Sequence, residues 1–326
     1  METRDRDIWF LLPVLRDFES FSRIRTEIHA SLGKAGWASS NIHFLAVDDS
    51  GESDPQANLV RNLPDVTVLA TPYNMGHQRA VVYGLRYLLK KTSPEDLIVT
   101  LDADGQDQPS DVPRLLEGFF SHPVNPYRLV LARRTKRSES LLFKVFYFMF
   151  KTLFGILTGT QVRSGNFVLM QACGLATAIS HPYFDVCYSS TLLTLRREIV
   201  FVPCARGSRY SGQSKMGFVG LVIHGLRMMF PFADRIAVRS LIFLGSTVGI
   251  SLGAAVWLSA YGVSTGFYLA VSAILLSVLL LFQALVLFAI LTVWQGSGFS
   301  QTQSEGRALL STSRKGEWNK NVPKAS

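Results

Sequence analysis

From Ser240 to Ser304 the chain carries no Asp, Glu, Lys or Arg. A charge-free stretch of that length does not suit a water-facing surface, so this part of the chain is expected in lipid. The three cysteines, Cys173, Cys187 and Cys204, are odd in number and show no CxxC spacing or paired histidines. That pattern suggests neither a disulfide framework nor a zinc site, and it fits a reducing compartment. No GxGxxG follows the first apolar run, which disfavours dinucleotide redox chemistry. The opening METRDRD runs directly into a short apolar stretch ending at Pro13, with no segment long enough for a signal peptide. Internal repeats are absent as well.

What is present is a chain of 326 residues, 48% hydrophobic and 17% charged, with a net charge of +9. Collagen-like, disulfide-rich and disordered classes are excluded by that composition. The basic residues gather beside apolar and aromatic runs, a pattern that favours anionic lipid or a phosphate-bearing substrate over nucleic acid.

Short β-branched and aromatic runs at Ile8–Leu12, Ile42–Val47, Val66–Ala70, Leu97–Leu101, Leu129–Leu131 and Ile199–Val202 predict strands. Between them, Asp17–Leu32, Gln78–Leu89 and Pro113–Phe120 repeat apolar residues at helical spacing. The alternation predicts an open, mostly parallel α/β sheet, whose ligands sit at the carboxyl ends of the strands.

After Ala132 the character changes. Arg133, Arg134, Lys136, Arg137, Lys144 and Lys151 are threaded through an aromatic, aliphatic run, and Arg137, Lys144 and Lys151 share one helical face at seven-residue spacing. Such a stripe within 133–160 suits a membrane interface, and a core helix with solvated lysines is the plainer alternative. A second interfacial segment is expected at 217–239. Then come two uncharged runs, Leu241–Val263 and Phe267–Trp294, each longer than the ~20 residues that span a bilayer. Arg235 and Arg239 flank them on one side and the basic tail 295–326 on the other, so both flanks are expected in the cytoplasm and the connector Ser264–Gly266 outside it.

Two strands end in acids: Asp48-Asp49-Ser50-Gly51 after the second, and Asp102-Ala103-Asp104-Gly105-Gln106-Asp107 after the fourth. Like charges at strand ends are costly unless a ligand or cation uses them. Asp102, Asp104 and Gln106 form a hard-oxygen set suited to Mg²⁺ or Mn²⁺ bridged to a diphosphate. Asp-x-Asp alone is equally a turn feature, and Asp107 and Asp111 are candidate helix caps.

The order of motifs is more specific. Pro13 with Asp17, the quartet Val47-Asp48-Asp49-Ser50, NMGHQRAVVYGL from Asn74, DADGQDQPSDVP from Asp102 and RYSGQSKM from Arg209 follow one another along the chain. This succession resembles family-2 glycosyltransferases of GT-A fold, and among them the polyprenyl-phosphate glycosyltransferases that carry two C-terminal transmembrane helices. The resemblance implies a Rossmann-like, mostly parallel GT-A catalytic domain over 1–216, interfacial amphipathic helices, a two-helix transmembrane hairpin within 240–294 and a cytosolic tail.

It further implies that Pro13, Asp17, Asp48, Asp49, Asp102 and Gln106 bind the nucleotide sugar, with Asp48 and Asp49 at base and ribose. Asp102, Asp104 and Gln106 would hold the Mg²⁺ or Mn²⁺ ion; Asp104, Arg133, Arg209 and Asp107 would serve the chemistry. Arg137, Lys144, Asn166, Ser214 and Lys215 would grip acceptor or phosphate. Two departures stand out: Leu15-Arg16-Asp17 in place of Tyr-Asn-Glu, and Ser164-Gly165-Asn166-Phe167 in place of Gly-Asp-Phe. The implied reaction is inverting transfer of one sugar from a UDP- or GDP-linked donor to a polyprenyl phosphate on the cytosolic face of a bacterial inner membrane. The alternatives are transfer to a glycan or glycolipid hydroxyl, with Asp107 as base, and a catalytically silent nucleotide-sugar-binding scaffold. The expected partners are the nucleotide sugar, the lipid and the membrane, without nucleic acid; a homo-oligomer is left open.

Overall fold

A computed structural model describes residues 6–121, 125–134, 141–161, 164–195, 197–211, 217–262 and 265–284, with backbone alone at 141–146, 164, 218 and 255. These form two compact units, one comprising the chain to 134 and from 164 to 228, the other 141–161 and 229–284.

The first unit is built on seven strands: β1 (Ile8–Val14), β2 (Ile42–Asp48), β3 (Val66–Ala70), β4 (Leu97–Thr100), β5 (Leu129–Arg134), β6 (Ser164–Gln171) and β7 (Ile199–Cys204). Their order across the sheet is β3-β2-β1-β4-β6-β5-β7. Every pairing is parallel except those of β6 with β4 and β5. This is the mostly parallel α/β sheet expected for a GT-A domain. The helices of this unit are α1 (Phe18–Lys34), α2 (Ala57–Arg61), α3 (His77–Leu88) and α4 (Val112–Phe120); after α5 (Leu141–Thr158), which belongs to the second unit, come α6 (Ala172–Ala178), α7 (Tyr188–Leu192) and α8 (Phe218–Met229).

Side-chain alternation sends β1 and β2 residues into two cores. Phe10, Phe44 and Ala46 join Phe21, Ile24 and Ile28 of α1 and Leu115 and Phe119 of α4 on one face. Leu11, Leu45 and Val47 join Val81, Leu85 and Leu88 of α3 on the other. Gly84 lets α3 come down onto that face, since a Cβ there would lie 2.6 Å from Val47 Cγ2 and 2.7 Å from Leu11 Cδ1. Pro13 is tolerated inside β1 for a backbone reason. Leu101 N–H donates to Leu11 O, so residue 13 also faces the β4 side, where pairing has ended at Leu11 opposite Thr100 and no donor is required.

Strand β6 was not among the six expected. Its Ser-Gly-Asn opening reads as a turn, and its apolar half runs into α6 without Gly or Pro punctuation, so the sequence offers no boundary on either side.

In the second unit Phe154 of α5 is buried against Phe150 and Phe232. A 3₁₀ turn at Phe230–Phe232 precedes α9 (Ala233–Ala260), and a further apolar helix, α10, spans Thr265–Ala284. Arg239 donates to Ile156 O at 2.7 Å and Arg235 to Thr160 Oγ1 at 3.2 Å, so both cations sit at the C-terminal end of α5, where free carbonyls favour positive charge. Long apolar helices reaching Ala260 and Ala284 are each sufficient, by length and composition, to cross a membrane. Phe243, Ile250, Trp257, Phe267, Leu275 and Phe282 are exposed on them. Residues 285–294 of the second expected span, and the tail, lie outside the described residues. Lys151 is exposed on α5 among exposed Phe148, Met149 and Leu153; Arg137 and the Lys144 side chain lie outside the described residues.

At the start of β4, burial together with nearby Asp7 and Glu95 pushes the Asp96 carboxyl up to about 6, against the opposing Ser93 N–H and His43. A folded pKa above the unfolded value means the native state binds the extra proton, so this group's contribution is most favourable below about pH 4 and is lost as pH rises through 6. Asp96→Asn, which keeps an acceptor for the Ser93 N–H, is therefore expected to raise stability at pH 7 by about 1–2 kcal/mol and to give little gain at pH 4. Denaturant unfolding at the two pH values checks this.

Candidate active site

The chain leaves β1 toward β2 and β3 on one side, then returns to place β4 on the other. Order reverses at β1 and β4, which opens a crevice at their carboxyl ends. The acidic segments after β2 and β4 both lie there.

Asp48 is fully buried, its Oδ1 accepting the Ser50 N–H at 3.0 Å. Asp49, expected at the base or ribose, has its oxygens engaged by protein. Oδ1 accepts from the Met75 N–H at 2.7 Å and Thr71 Oγ1 at 3.3 Å, and Oδ2 from the Gly76 N–H at 3.0 Å. Burial raises its pKa against these donors. Gly76, at φ +81°, adopts the left-handed conformation that lets the loop present both amides and then enter α3. Asp49 thus clamps the N-terminal end of α3, where the helix dipole also favours a carboxylate.

The turn after β4 gathers three acids. Asp104 Oδ1 accepts the Gln106 N–H at 2.9 Å, and its Oδ2 pairs with Arg209 at 2.9 Å. Gln106 Oε1 accepts from Arg206. Asp107 Oδ2 accepts the Asp102 N–H at 3.2 Å, and its Oδ1 pairs with Arg134 at 3.4 Å. Asp102 Oδ1 lies 3.2 Å from His77 Nε2 and accepts from Asn166 Nδ2 at 3.3 Å. Gly105, at φ +81°, allows the turn, and Tyr210 covers it: a Cβ at 105 would lie 2.7 Å from the Tyr210 ring. The Tyr210 hydroxyl donates to Glu27 of α1 at 2.5 Å, and the Arg23 guanidinium lies 3.9 Å from its ring centroid.

The three carboxyls are shifted differently. Burial opposes ionisation of Asp102, but His77, Arg134 and the Asn166 amide outweigh it and hold Asp102 well below the usual range. Burial and the Asp102 charge raise Asp104, with Arg209 and Arg206 opposing. The same two causes push Asp107 up to about 7 despite Arg134. Desolvation lowers His77, yet the acids at 102, 104 and 107 raise it overall.

Other expected residues fall as follows. Arg133 is exposed, and it is Arg134 that faces the acids; a register shift between Leu131 and Arg133 and the alternation along β5 send the two arginines apart. Gly165 makes room, since a Cβ there would lie 3.2 Å from Arg134 Nη2. Asp17 precedes α1 without a side-chain capping bond and accepts from Ser211 Oγ at 3.5 Å. Asp107 is no helix cap, and Asp111, in the capping position of α4, pairs with Arg114 at 2.9 Å. Ser214 and Lys215 lie outside the described residues. Sequence reasoning missed His77, Gln78, Arg134, Arg206 and Tyr210; His77, Gln78 and Tyr210 stand inside the quoted motifs, and Arg134 and Arg206 within three residues of arginines that were singled out.

For a divalent ion, the fit is to two residues. Among the described residues no group of three or more His, Cys, Asp or Glu side chains is placed to hold a metal. Gln106 Oε1, the third expected ligand, accepts from Arg206. Two carboxylates completed by substrate phosphate oxygens remain a donor set that suits Mg²⁺.

Residues 24–175 match the family described as Glycosyl transferase family 2. A curated relative, undecaprenyl-phosphate 4-deoxy-4-formamido-L-arabinose transferase of Edwardsiella ictaluri, is 24% identical over 250 residues, 74% of this chain and 72% of that protein. Among solved structures, S. aureus TarS 1–349 is similar at 12% identity and TM-score 0.38, over 93% of this chain and 91% of that one. The same fragment in complex with UDP gives 13% identity and TM-score 0.37, over 72% and 65%.

Removing the Asp49 clamp leaves the Met75 and Gly76 amides without their acceptor. Asp49→Ala is expected to lower stability by about 1–3 kcal/mol, and Asp49→Asn by less because one acceptor oxygen remains. Thermal unfolding of the two variants side by side measures the difference.

Proposed function

We propose, on the match of residues 24–175 to glycosyl transferase family 2, that this chain transfers one sugar from a nucleotide sugar to a polyprenyl phosphate at a membrane surface. The observation that carries this reading is the turn 102–107 at the carboxyl end of β4, where Asp107 pairs with Arg134, Asp104 with Arg209, and Gln106 accepts from Arg206. Opposed charges on one crevice suit a reaction in which phosphate groups arrive and leave. The relative from Edwardsiella ictaluri, named for an undecaprenyl-phosphate acceptor, supports the same class of lipid.

In the proposed step a phosphate oxygen of the acceptor attacks the anomeric carbon as the bond from that carbon to the donor diphosphate breaks. Configuration inverts, and the electron pair leaves on the nucleoside diphosphate, whose charge Arg209 and Arg206 are placed to meet. Asp102 and Asp104 would hold Mg²⁺ or Mn²⁺, which when bound neutralises the departing diphosphate. The acceptor needs no base, because a phosphate monoester with a second pKa near ~6 is already mostly dianionic at neutral pH.

Transfer to a hydroxyl does need a base, and Asp107, pushed up to about 7, has the right strength. Its placement disfavours that role: it is 5% exposed, with one oxygen on Arg134 and the other on the Asp102 N–H. Asn166, an amide, orients without taking a proton.

The exposed apolar surfaces of α9 and α10 support an integral membrane protein anchored by two helices. We place 1–216 as the catalytic domain on the cytosolic side of a bacterial inner membrane, with 217–239 at the interface.

Membranes carrying the protein, given labelled nucleotide sugars and then extracted with organic solvent, are expected to yield a labelled lipid that releases its sugar in mild acid. An acid-stable lipid product would move the reading to a hydroxyl acceptor. Asp104→Ala is expected to cut product at least ~100-fold while remaining folded and membrane-bound; full activity of that variant in chelator would end the metal-dependent reading.

A further inference from the structure

Asp102 follows β4 and Asn166 lies on β6, and the first turn of α3 meets both. Asn166 Nδ2 lies 2.6 Å from His77 Nε2, and His77 Nε2 lies 3.2 Å from Asp102 Oδ1. The triangle closes through Asn166 Nδ2 and Asp102 Oδ1 at 3.3 Å. The other end of the Asn166 amide is held as well: its Oδ1 accepts from Gln78 Nε2 at 2.8 Å. His77 and Gln78 are the first two residues of α3. That helix is fixed at its start by Asp49 on the Met75 and Gly76 amides, and along its length by the close approach of Gly84 to β1 and β2.

From this geometry, and resting on the transferase reading above, we propose that His77 is a positioning residue that sets Asp102 and Asn166 in one orientation, coupling the donor side of the crevice to the acceptor side. His77 is suited to this by being neither buried in a core nor free in solvent. Its side chain is 42% exposed, so it contributes little to packing, while Nε2 is held in place between two site residues. A side chain needed only for the fold would be expected to bury its ring. An amide already bonded at Oδ1 rotates only by losing a bond, so the His77 and Gln78 contacts together fix which face of Asn166 looks toward Asp102. Through Asp102 the arrangement continues to Asp107, whose Oδ2 accepts the Asp102 N–H.

The test compares full-length His77→Ala, His77→Gln, Asn166→Ala and the His77→Ala/Asn166→Ala double variant in membranes, each checked for thermal stability. A positioning role predicts that His77→Ala lowers kcat by about 10–100-fold with the KM for nucleotide sugar within about three-fold of wild type. His77→Gln, which keeps a polar terminus within reach, should recover at least about a third of the lost rate, and the double variant should lose less than the product of the two single losses. A kcat within about two-fold of wild type, an effect confined to KM, or fully multiplicative losses would overturn the proposal.

A structure of His77→Ala supplies a readout that does not depend on turnover. The Asn166 amide and the Asp102 carboxylate are expected to change rotamer, and unchanged rotamers would overturn the proposal. Failure of the transferase reading shows separately, as a wild-type protein that labels no lipid from any nucleotide sugar.

Discussion

Three carboxyl groups on the single turn 102–107 cannot all be ionised side by side without a cost. At an effective dielectric of about 20, two like charges 4 Å apart repel by roughly 4 kcal/mol. The first unit answers with a cation or a proton for each. Asp102 is kept ionised by His77 and Arg134, Asp104 is faced by Arg209, and Asp107, the most buried of the three, is pushed toward protonation. Much of the surrounding architecture exists to deliver those partners: β5 brings Arg134, α3 brings His77, and the segment after β7 brings Arg206 and Arg209. Tyr210, bonded to Glu27 of α1 and seated on Gly105, ties that last segment to the turn. A charge arrangement of this kind can exchange partners when phosphate oxygens arrive, as the transfer proposed above requires.

The parallel part of the sheet was legible because buried strands write themselves as apolar runs, and β1, β2, β3, β4, β5 and β7 all do. Strand β6 was not, since antiparallel return strands need no signature of their own and this one begins with Ser-Gly-Asn. The acids of the site were equally visible, because a carboxylate at a strand end is conspicuous in one dimension. Their partners were hidden by three-dimensional facts. Which of Arg133 and Arg134 faces the acids depends on a one-residue irregularity in β5, and whether Gln106 faces a metal or an arginine depends on where the chain after β7 returns. Asp49, read as ligand-binding, also has a structural part that the sequence did not show: it holds the Met75 and Gly76 amides at the start of α3.

The second unit follows a different logic. Its helices bury aromatic side chains such as Phe154 and Phe232 against one another and leave long apolar surfaces outward, a distribution that water disfavours and lipid accepts. Arg235 and Arg239, which the sequence marks only as flanking charges, also satisfy carbonyl and hydroxyl oxygens at the end of α5. One pair of cations therefore serves helix termination and, in the membrane topology proposed above, orientation as well.

Arg134 is the cation that balances Asp102 and Asp107, although the sequence pattern alone points to its neighbour. The most direct test is a comparison of Arg134→Ala with Arg133→Ala in the sugar-to-lipid transfer assay, at equal amounts of folded, membrane-bound protein. Arg134→Ala is expected to lose at least ~100-fold in turnover, because it leaves buried carboxylates without their partner, and Arg133→Ala to stay within about five-fold of wild type. Loss of activity in Arg133→Ala with Arg134→Ala near wild type would contradict it.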